Sequence, residues 1–271
     1  MEIRATTDRP LEVRQWEMRA QRLNMDSTWL LTLSGTTLLV DPWLHGSEVD
    51  YAGWFNTQWH RTPPLPYSDV PTYDAVLITQ KYPDHYHADT LAKLSPKVVF
   101  APASLGKRLR TLLPDADLHL FESSQPIALF RELSLTHLPT RRRIDPIYDA
   151  FLVDDGKESV CIAPHGLTVD AAHQEVVDRA SPCKLLISPF NRYSLPALLG
   201  GTVTPGLEGL EQLIDALAPE HVVQTHDELK EGKGLIPKIA AITVFDPNRA
   251  PHLPWLADRF LDVRNYQAVE L

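Results

Sequence analysis

Residues 76–87 read Val-Leu-Ile-Thr-Gln-Lys-Tyr-Pro-Asp-His-Tyr-His, a short apolar run that passes directly into a polar loop. The apolar run has the length and the branched side chains of a buried strand. The loop then places a carboxylate and an imidazole side by side, at Asp84 and His85. Both groups are ligands that suit zinc, manganese or iron. The stretch therefore predicts a strand whose end carries metal-binding or catalytic side chains.

Two more histidines lie in the same context, an apolar strand followed by a polar turn. His165 follows the Val-Cys-Ile-Ala-Pro of residues 160–164, and His226 follows the His-Val-Val-Gln-Thr of residues 221–225. Because strand ends can converge at one edge of a sheet, we expect both histidines to approach the Asp84 loop. Three or four such groups with one open position are typical of a catalytic metal site.

The segments around the loop alternate between strand and helix patterns. Residues 28–33 and 36–40 flank Ser34-Gly35 and predict a β-hairpin, and the strand at residues 74–79 precedes a short helix capped at Asp89. Residues 43–71 show no period and predict a long loop.

Mixed and strand-rich stretches occur in both halves of the chain. Strands dominate residues 118–163, whereas strand and helix alternate before and after them. This order fits neither a doubly wound sheet nor a sandwich, and it predicts an α/β (α+β) fold with four αββα layers. We expect one domain over residues 1–271.

Composition excludes several classes of protein. Of 271 residues, 44% are apolar and 23% are charged, which excludes a disordered chain. The net charge of −9 gives no basic surface for nucleic acid. Cys161 and Cys183 lie in or beside apolar runs, so we expect buried, reduced thiols. No signal sequence or membrane-length apolar run is present, which predicts a cytoplasmic protein with no membrane partner.

These motifs resemble the metallo-β-lactamase fold superfamily over roughly residues 20–245. That superfamily carries Thr-His-x-His-x-Asp-His after a buried strand, where residues 79–85 read Thr-Gln-Lys-Tyr-Pro-Asp-His. The strand of residues 38–42 ends in Asp-Pro, as in the superfamily, and residues 163–166 lie where the superfamily has Gly-Asp-Thr-Gly. His226 matches the last metal histidine.

The departures from the superfamily pattern bear on how many metal ions are held. Gln80 and Tyr82 replace the first two histidines of the loop, and neither an amide nor a neutral phenol replaces imidazole well at Zn²⁺. The resemblance thus implies an empty first position and a second position held by a set of four ligands, Asp84, His85, His165 and His226. His137 is the one candidate for the third histidine of the first position, and a strand-end polar residue is the simpler interpretation.

The resemblance implies a hydrolase of a small ester, lactone or phosphodiester that uses one divalent ion, zinc or else manganese or iron. Asp84, His165 and Tyr82 are the catalytic candidates. One alternative is a lyase or isomerase on the same scaffold, with Tyr82, His85 and His165 as acid and base groups. A metal-free binding protein is another.

Each ligand candidate also has a simpler interpretation. Asp84 and His85 suit the turn at a helix start, and His165 before Gly166 suits a hydrogen-bonded turn. His226 could pair with the acidic residues that follow it in a surface cluster.

Two further features suggest substrate contacts. Arg141, Arg142 and Arg143 form a cation cluster that suits a carboxylate or phosphate, although a solvated loop has the same composition. Trp54 belongs to a set of aromatic residues that predicts either an apolar pocket wall or a small core beneath a long loop: Trp43, Trp54, Phe55, Trp59 and Tyr67. We therefore expect a small-molecule substrate, with an anionic group if the arginines bind it; the sequence leaves the oligomeric state open.

Overall fold

The computed structural model describes residues 18–122, 126–130, 133–140 and 147–271. Arg141, Arg142 and Arg143 lie outside the described residues. The strands are, in chain order, β1 (Arg19–Arg22), β2 (Trp29–Leu33), β3 (Thr36–Val40), β4 (Ser47–Asp50), β5 (Asn56–Trp59), β6 (Ala75–Leu77), β7 (Val98–Pro102), β8 (Asp117–Phe121), β9 (Ile127–Ala128), β10 (Ser134–Leu138), β11 (Ala150–Asp154), β12 (Ser159–Ile162), β13 (Cys183–Pro189), β14 (Arg192–Ser194), β15 (Thr202–Pro205), β16 (His221–Thr225), β17 (Glu231–Gly234), β18 (Ala241–Thr243) and β19 (Ala268–Glu270). The α-helices are α1 (Ala88–Leu94), α2 (Gly106–Leu112), α3 (Ala171–Val177), α4 (Leu207–Leu217) and α5 (Ile236–Ile239).

The first large sheet has the order β19-β1-β2-β3-β6-β7-β8. The predicted hairpin is confirmed as β2 and β3, and its turn residues Ser34 and Gly35 have φ of 45° and 75°. A two-residue turn with both residues left-handed matches the twist of the flanking strands. From β3 onward the strands β6, β7 and β8 are parallel, so their carboxyl ends share one edge.

The second large sheet has the order β16-β13-β12-β11-β10-β9, and β12, β13 and β16 are parallel. The two sheets pack face to face around one core, to which Leu31 and Phe100 contribute from the first sheet and Phe151 and Leu185 from the second. This sheet-on-sheet core forms the two inner layers.

Helices cover the outer faces of both sheets. Leu91 of α1 and Leu109 of α2 pack with Val76 of the first sheet, and α4 packs on the second sheet through Leu213 against Leu186. The four-layer αββα fold is therefore confirmed. No helix within the described ranges is both long enough and apolar enough to span a membrane. Both cysteines are buried and free, as expected.

Two local predictions are wrong. Residues 43–71 contain the antiparallel strands β4 and β5, which β17 extends into a small sheet. Strands of four residues with mostly polar side chains carry too little periodicity to be detected. Helix α1 is capped by His87, whose Nδ1 accepts a hydrogen bond of 3.2 Å from the backbone N–H of Thr90, rather than by Asp89. Imidazole can take this capping role because a neutral ring offers an acceptor nitrogen.

Candidate metal centre

The ends of three strands bring four potential metal ligands together. Asp84 and His85 follow β6, His165 follows β12 and His226 follows β16. Each offers one ligand atom, and these atoms all lie within 4.8 Å of one another. The group lies where the carboxyl ends of strands from both large sheets meet, the edge at which sheets of this kind present functional residues.

His85 is oriented by a carboxylate from the neighbouring strand. Its Nδ1 lies 2.7 Å from Oδ2 of Asp41, the residue directly after β3. Asp41 also accepts hydrogen bonds from the backbone N–H of Thr79 at 2.7 Å and from its hydroxyl at 2.6 Å. Because Nδ1 is engaged, the Nε2 of His85 faces into the group. A carboxylate behind an imidazole is the usual support of a metal-ligating histidine.

His226 is oriented by Asp26 from the first part of the chain. Its backbone N–H donates to the carbonyl of Asp26 at 3.0 Å, and its Nδ1 lies 3.1 Å from Oδ1 of that residue. The backbone of His226 has φ of 49°, a left-handed conformation that costs energy in a residue with a side chain. Among the described residues, the buried Nε2 of His226 has no hydrogen-bond partner. An imidazole nitrogen in that situation suits a metal ion.

The surface-cluster alternative for His226 is wrong. The carboxylate of Asp227 is paired with the buried Arg22, and Glu228 lies 2.7 Å from Nδ1 of His60. The acidic neighbours of His226 therefore hold other parts of the chain, while His226 turns inward toward Asp84.

His165 completes the group from the second sheet. Its Nε2 lies 3.2 Å from Nε2 of His85, and its buried Nδ1 meets no hydrogen-bond partner in the described part of the chain. Its ring is stacked on that of His226, with 4.7 Å between centroids. The next residue, Gly166, has φ of 84°, so the chain turns away immediately after the ligand position.

The donor set fits a divalent transition metal. Three imidazoles and one carboxylate are nitrogen and oxygen donors of the kind that zinc takes. Nitrogens bound tetrahedrally at about 2.0–2.1 Å lie about 3.3 Å apart, close to the 3.2 Å between the His85 and His165 Nε2 atoms. A bound metal ion would also give the buried Nε2 of His226 the partner that it lacks among the described residues.

Burial and neighbouring charges set the protonation of the ligands. Burial alone would lower the pKa of His85, but the carboxylates of Asp84 and Asp41 raise it to about 9. Burial, reinforced by His226 and His85, lowers the pKa of His165 well below its usual range, which leaves a neutral ring with a free lone pair. Burial opposes ionisation of Asp84, yet His85 and Lys230 bring its pKa down to about 2.

A buried lysine that sequence reasoning missed lies beside the four ligands. The Nζ of Lys230 is 3.1 Å from Oε1 of Glu48, 3.2 Å from Oδ2 of Asp26 and 3.6 Å from Oδ2 of Asp84. These carboxylates raise the pKa of Lys230 well above its usual range despite burial. Burial, partly opposed by Lys230, raises the pKa of Glu48 to about 8. Lys230 thus places a fixed positive charge next to the ligand group.

The residues that the resemblance places at the first metal position lie outside the group of four ligands. The side-chain amide of Gln80 donates to the carbonyl of Ile147 at 2.6 Å. His137 lies 2.8 Å from the carboxylate of Asp149 and does not belong to the ligand group. Tyr82 lines the adjoining cavity.

A cavity of about 1150 Å³ opens from the ligand group toward the surface. Asp84, His165 and His226 line it at the base, together with Lys230. Trp54 lines it as well, with 73% of its surface exposed. The aromatic residues singled out in the sequence thus differ in role: Trp43 is fully buried in the protein interior, whereas Trp54 lies at the rim of the cavity. A cavity of this size accommodates a small-molecule substrate.

A family model described as a beta-lactamase superfamily domain matches residues 25–226. The matched range includes the first and last of the four ligands, Asp84 and His226. Among proteins of curated function, no sequence matches the chain.

Solved structures share the fold at low sequence identity. The isothiocyanate hydrolase from Delia radicum gut bacteria has a TM-score of 0.68 and 16% identity, covering 94% of this chain and 99% of its own. The metallo hydrolase Igni18 from Ignicoccus hospitalis has a TM-score of 0.63 and 17% identity, covering 94% and 98%. CmlA, a diiron β-hydroxylase from Streptomyces venezuelae, has a TM-score of 0.60 and 19% identity over 78% of this chain, which spans only 45% of CmlA. Likeness at these identities establishes the fold alone.

Proposed function

Because the chain belongs to the beta-lactamase superfamily, we propose that it is a metal-dependent hydrolase of a small ester, lactone or phosphodiester. One divalent ion, zinc by preference, is held by Asp84, His85, His165 and His226. The observation that carries this proposal is the convergence of four ligand atoms within 4.8 Å, with the buried His226 Nε2 left for a metal. Manganese and iron suit the same donors.

The chemistry divides between the ion and the chain. When bound, the ion supplies Lewis acidity and a reactive water at neutral pH. In the overall reaction, water adds to the carbonyl carbon or phosphorus, the bond to the leaving oxygen breaks, and that oxygen takes up a proton. We assign Asp84, which is ionised, to accept the hydrogen bond of the water and then the proton that the water loses as it adds, and the Tyr82 hydroxyl to supply the proton to the leaving oxygen. The proton on Asp84 then returns through solvent to the Tyr82 phenolate, which restores both groups.

A single ion is proposed because the groups needed for a second ion have other contacts. The amide of Gln80 donates to Ile147, and His137 is paired with Asp149. The ammonium of Lys230 already places a positive charge 3.6 Å from Asp84. A second cation close to that charge would be repelled.

The decisive experiment combines metal analysis with hydrolysis assays. Protein purified without added metal is analysed for transition metals and assayed on an aryl ester, a lactone and a phosphodiester. We expect about one equivalent, lost on His226→Ala and kept in the control His221→Ala, because His221 lies at the opposite end of β16. The variant His221→Ala controls for general damage to this strand.

The outcomes separate the candidate functions. Two equivalents in the unaltered protein would refute the single-ion centre. One equivalent without hydrolysis of any of the three substrates would favour a lyase or isomerase. No metal and no hydrolysis would favour a binding protein on the same scaffold.

A further inference from the structure

The walls of the cavity above the ligand group are apolar and come from three separate segments. Tyr51, Trp54 and Phe55 belong to the turn between β4 and β5 and its flanks. The segment between β14 and β15 adds Leu195, Ala197, Leu198 and Leu199, and the segment from α5 into β18 adds Ile236, Pro237, Ala240 and Ile242. The two small sheets that carry these segments thus build a single apolar funnel that leads to the ligands.

The rim of this funnel exposes large apolar side chains to solvent. Leu198 is 99% exposed, Tyr51 is 83% exposed and Trp54 is 73% exposed. Single apolar residues scattered over a protein surface are common and need no explanation. Exposed apolar side chains grouped around one opening are instead typical of a binding site for an apolar group. The continuity of the rim with the ligand group indicates that the group to be bound is part of the substrate.

Charged side chains of the described lining gather beside the ligands around Lys230, whose Nζ lies 3.1 Å from Glu48, 3.2 Å from Asp26 and 3.6 Å from Asp84. Asp50 and Glu228 also line the cavity, and Glu228 is paired with His60. The apolar lining residues Leu198, Leu199 and Ile242 are instead exposed to solvent, at 99%, 39% and 47%. A ligand that matches this distribution has a polar reacting group at one end and an extended apolar body at the other.

We infer that the substrate carries a large apolar acyl or aryl group next to the bond that is cleaved, with that group lying along the walls formed by Trp54, Leu198 and Ile242. The inference rests on the proposed hydrolysis at the ligand group. The volume of about 1150 Å³ exceeds what a short acyl chain fills, so a body of eight or more carbons fits.

The test measures chain-length preference by two independent routes. The first is kcat/KM of the zinc-loaded full chain on p-nitrophenyl acetate, butyrate, hexanoate and octanoate. We expect kcat/KM to rise about two- to fourfold per added methylene, since each buried methylene transfers favourably from water. The second route is displacement of the neutral fluorescent probe N-phenyl-1-naphthylamine by butyramide and octanamide, which measures binding without hydrolysis.

Variants connect the preference to the walls. The double variant Trp54→Ala with Leu198→Ala removes mostly exposed side chains, so folding is expected to be kept, and it should flatten both chain-length series. The control Val244→Ala also trims an exposed apolar residue, 50% exposed, that does not line the cavity, and it should leave both series unchanged.

Each outcome bears on one conclusion. Binding that is independent of chain length overturns the inference even if esters are hydrolysed. Chain-dependent binding without any hydrolysis supports the apolar pocket and overturns the proposed function. If the double variant changes only the sedimentation of the protein and neither series, the rim is a contact between two copies of the chain and the inference is wrong.

Discussion

Replacing Lys230 by methionine isolates the charge that the protein places beside its candidate metal ligands. Methionine keeps much of the lysine stem but removes the Nζ that lies 5.2 Å from the centroid of the Trp43 ring. The ammonium that lies 3.1 Å from Glu48 and 3.2 Å from Asp26 is lost. The side chains of these two acids are 2% and 1% exposed, so water cannot replace the lost contacts.

The size of the effect follows from burial. Removing one partner of a buried ion pair costs about 3–5 kcal/mol, because the remaining charge is left without compensation. For a chain of this size, each kcal/mol corresponds to about 2–4 °C in Tm. We therefore expect Tm of the metal-free Lys230→Met protein to fall by about 10 °C. Protonation of Glu48, whose pKa is already about 8, moderates the loss and leaves Asp26, which keeps the contact of 3.1 Å with His226 Nδ1, as the main charge affected.

Lys184→Met is the matched control for this experiment. The Lys184 side chain is 15% exposed, close to the 13% of Lys230, and its Nζ lies 2.8 Å from Glu220. Its partners Glu220 and Glu158 are 58% and 43% exposed, so solvent takes over when the lysine is removed. An exposed pair of this kind contributes about 0–1 kcal/mol.

The assay is thermal unfolding of the metal-free proteins followed by circular dichroism, repeated with added Zn²⁺. The same Lys230→Met change in an Asp26→Asn background should lower Tm much less, because the carboxylate that would lose its cation has been replaced by a neutral amide. Added Zn²⁺ should raise Tm of Lys230→Met more than that of the unaltered protein, since a divalent ion supplies the missing charge. Equal Tm losses for Lys230→Met and Lys184→Met would refute the reasoning.

Four further predictions concern the ligands and the substrate. The change His165→Ala should reduce zinc affinity as much as His226→Ala does if His165 is a ligand; full metal content with a 10²- to 10⁴-fold loss of turnover would make it a proton-transfer group. Introducing Gln80→His together with Tyr82→His should raise metal content above one equivalent in elemental analysis, provided that His137 or water completes the first position; no increase would mean that the loop geometry forbids it. Since the carboxylates of Asp84 and Asp41 overcome burial and raise the pKa of His85 from 6.5 to about 9, His85 contributes stability to the metal-free protein below pH 6.5 that is lost as pH rises to 9. Zinc must displace this proton, so affinity in chelator competition should rise about tenfold per pH unit up to pH 9, and a flat profile would contradict the assignment. Changing Arg141, Arg142 and Arg143 together to alanine should raise KM for an anionic substrate at unchanged metal content. Unchanged kinetics would mean that the cluster does not bind substrate and is a solvated loop.

Much of the fold could be predicted because its signals are local. Alternating apolar side chains and the Ser34-Gly35 turn predict the β2-β3 hairpin, since strand and turn preferences act over a few residues. The same reasoning fails for β4 and β5, because strands of four mostly polar residues show no alternation of apolar side chains. Their partner β17 joins β5 from much later in the chain, and neither segment carries a local sign of that pairing.

The candidate ligands could likewise be named from the sequence, because each follows an apolar strand of its own. His165 and His226 follow β12 and β16, and parallel strands place their carboxyl ends at one edge. Whether a given nitrogen faces the group depends on the residue that holds the other nitrogen. Asp41 for His85 and Asp26 for His226 became evident only in the structure.

The sequence by itself determined much of the strand and helix order, the superfamily resemblance and the identity of the four candidate ligands, because each depends on residues close together along the chain or on a motif. The tertiary structure alone decided the charge around them. Lys230 meets Asp26 across 204 positions of sequence and Glu48 across 182, in segments that show no shared pattern. Their contact arises because the small sheet of β4, β5 and β17 brings Glu48 and Lys230 to the loop between β1 and β2 that holds Asp26, and buried charges are stable only when they are paired.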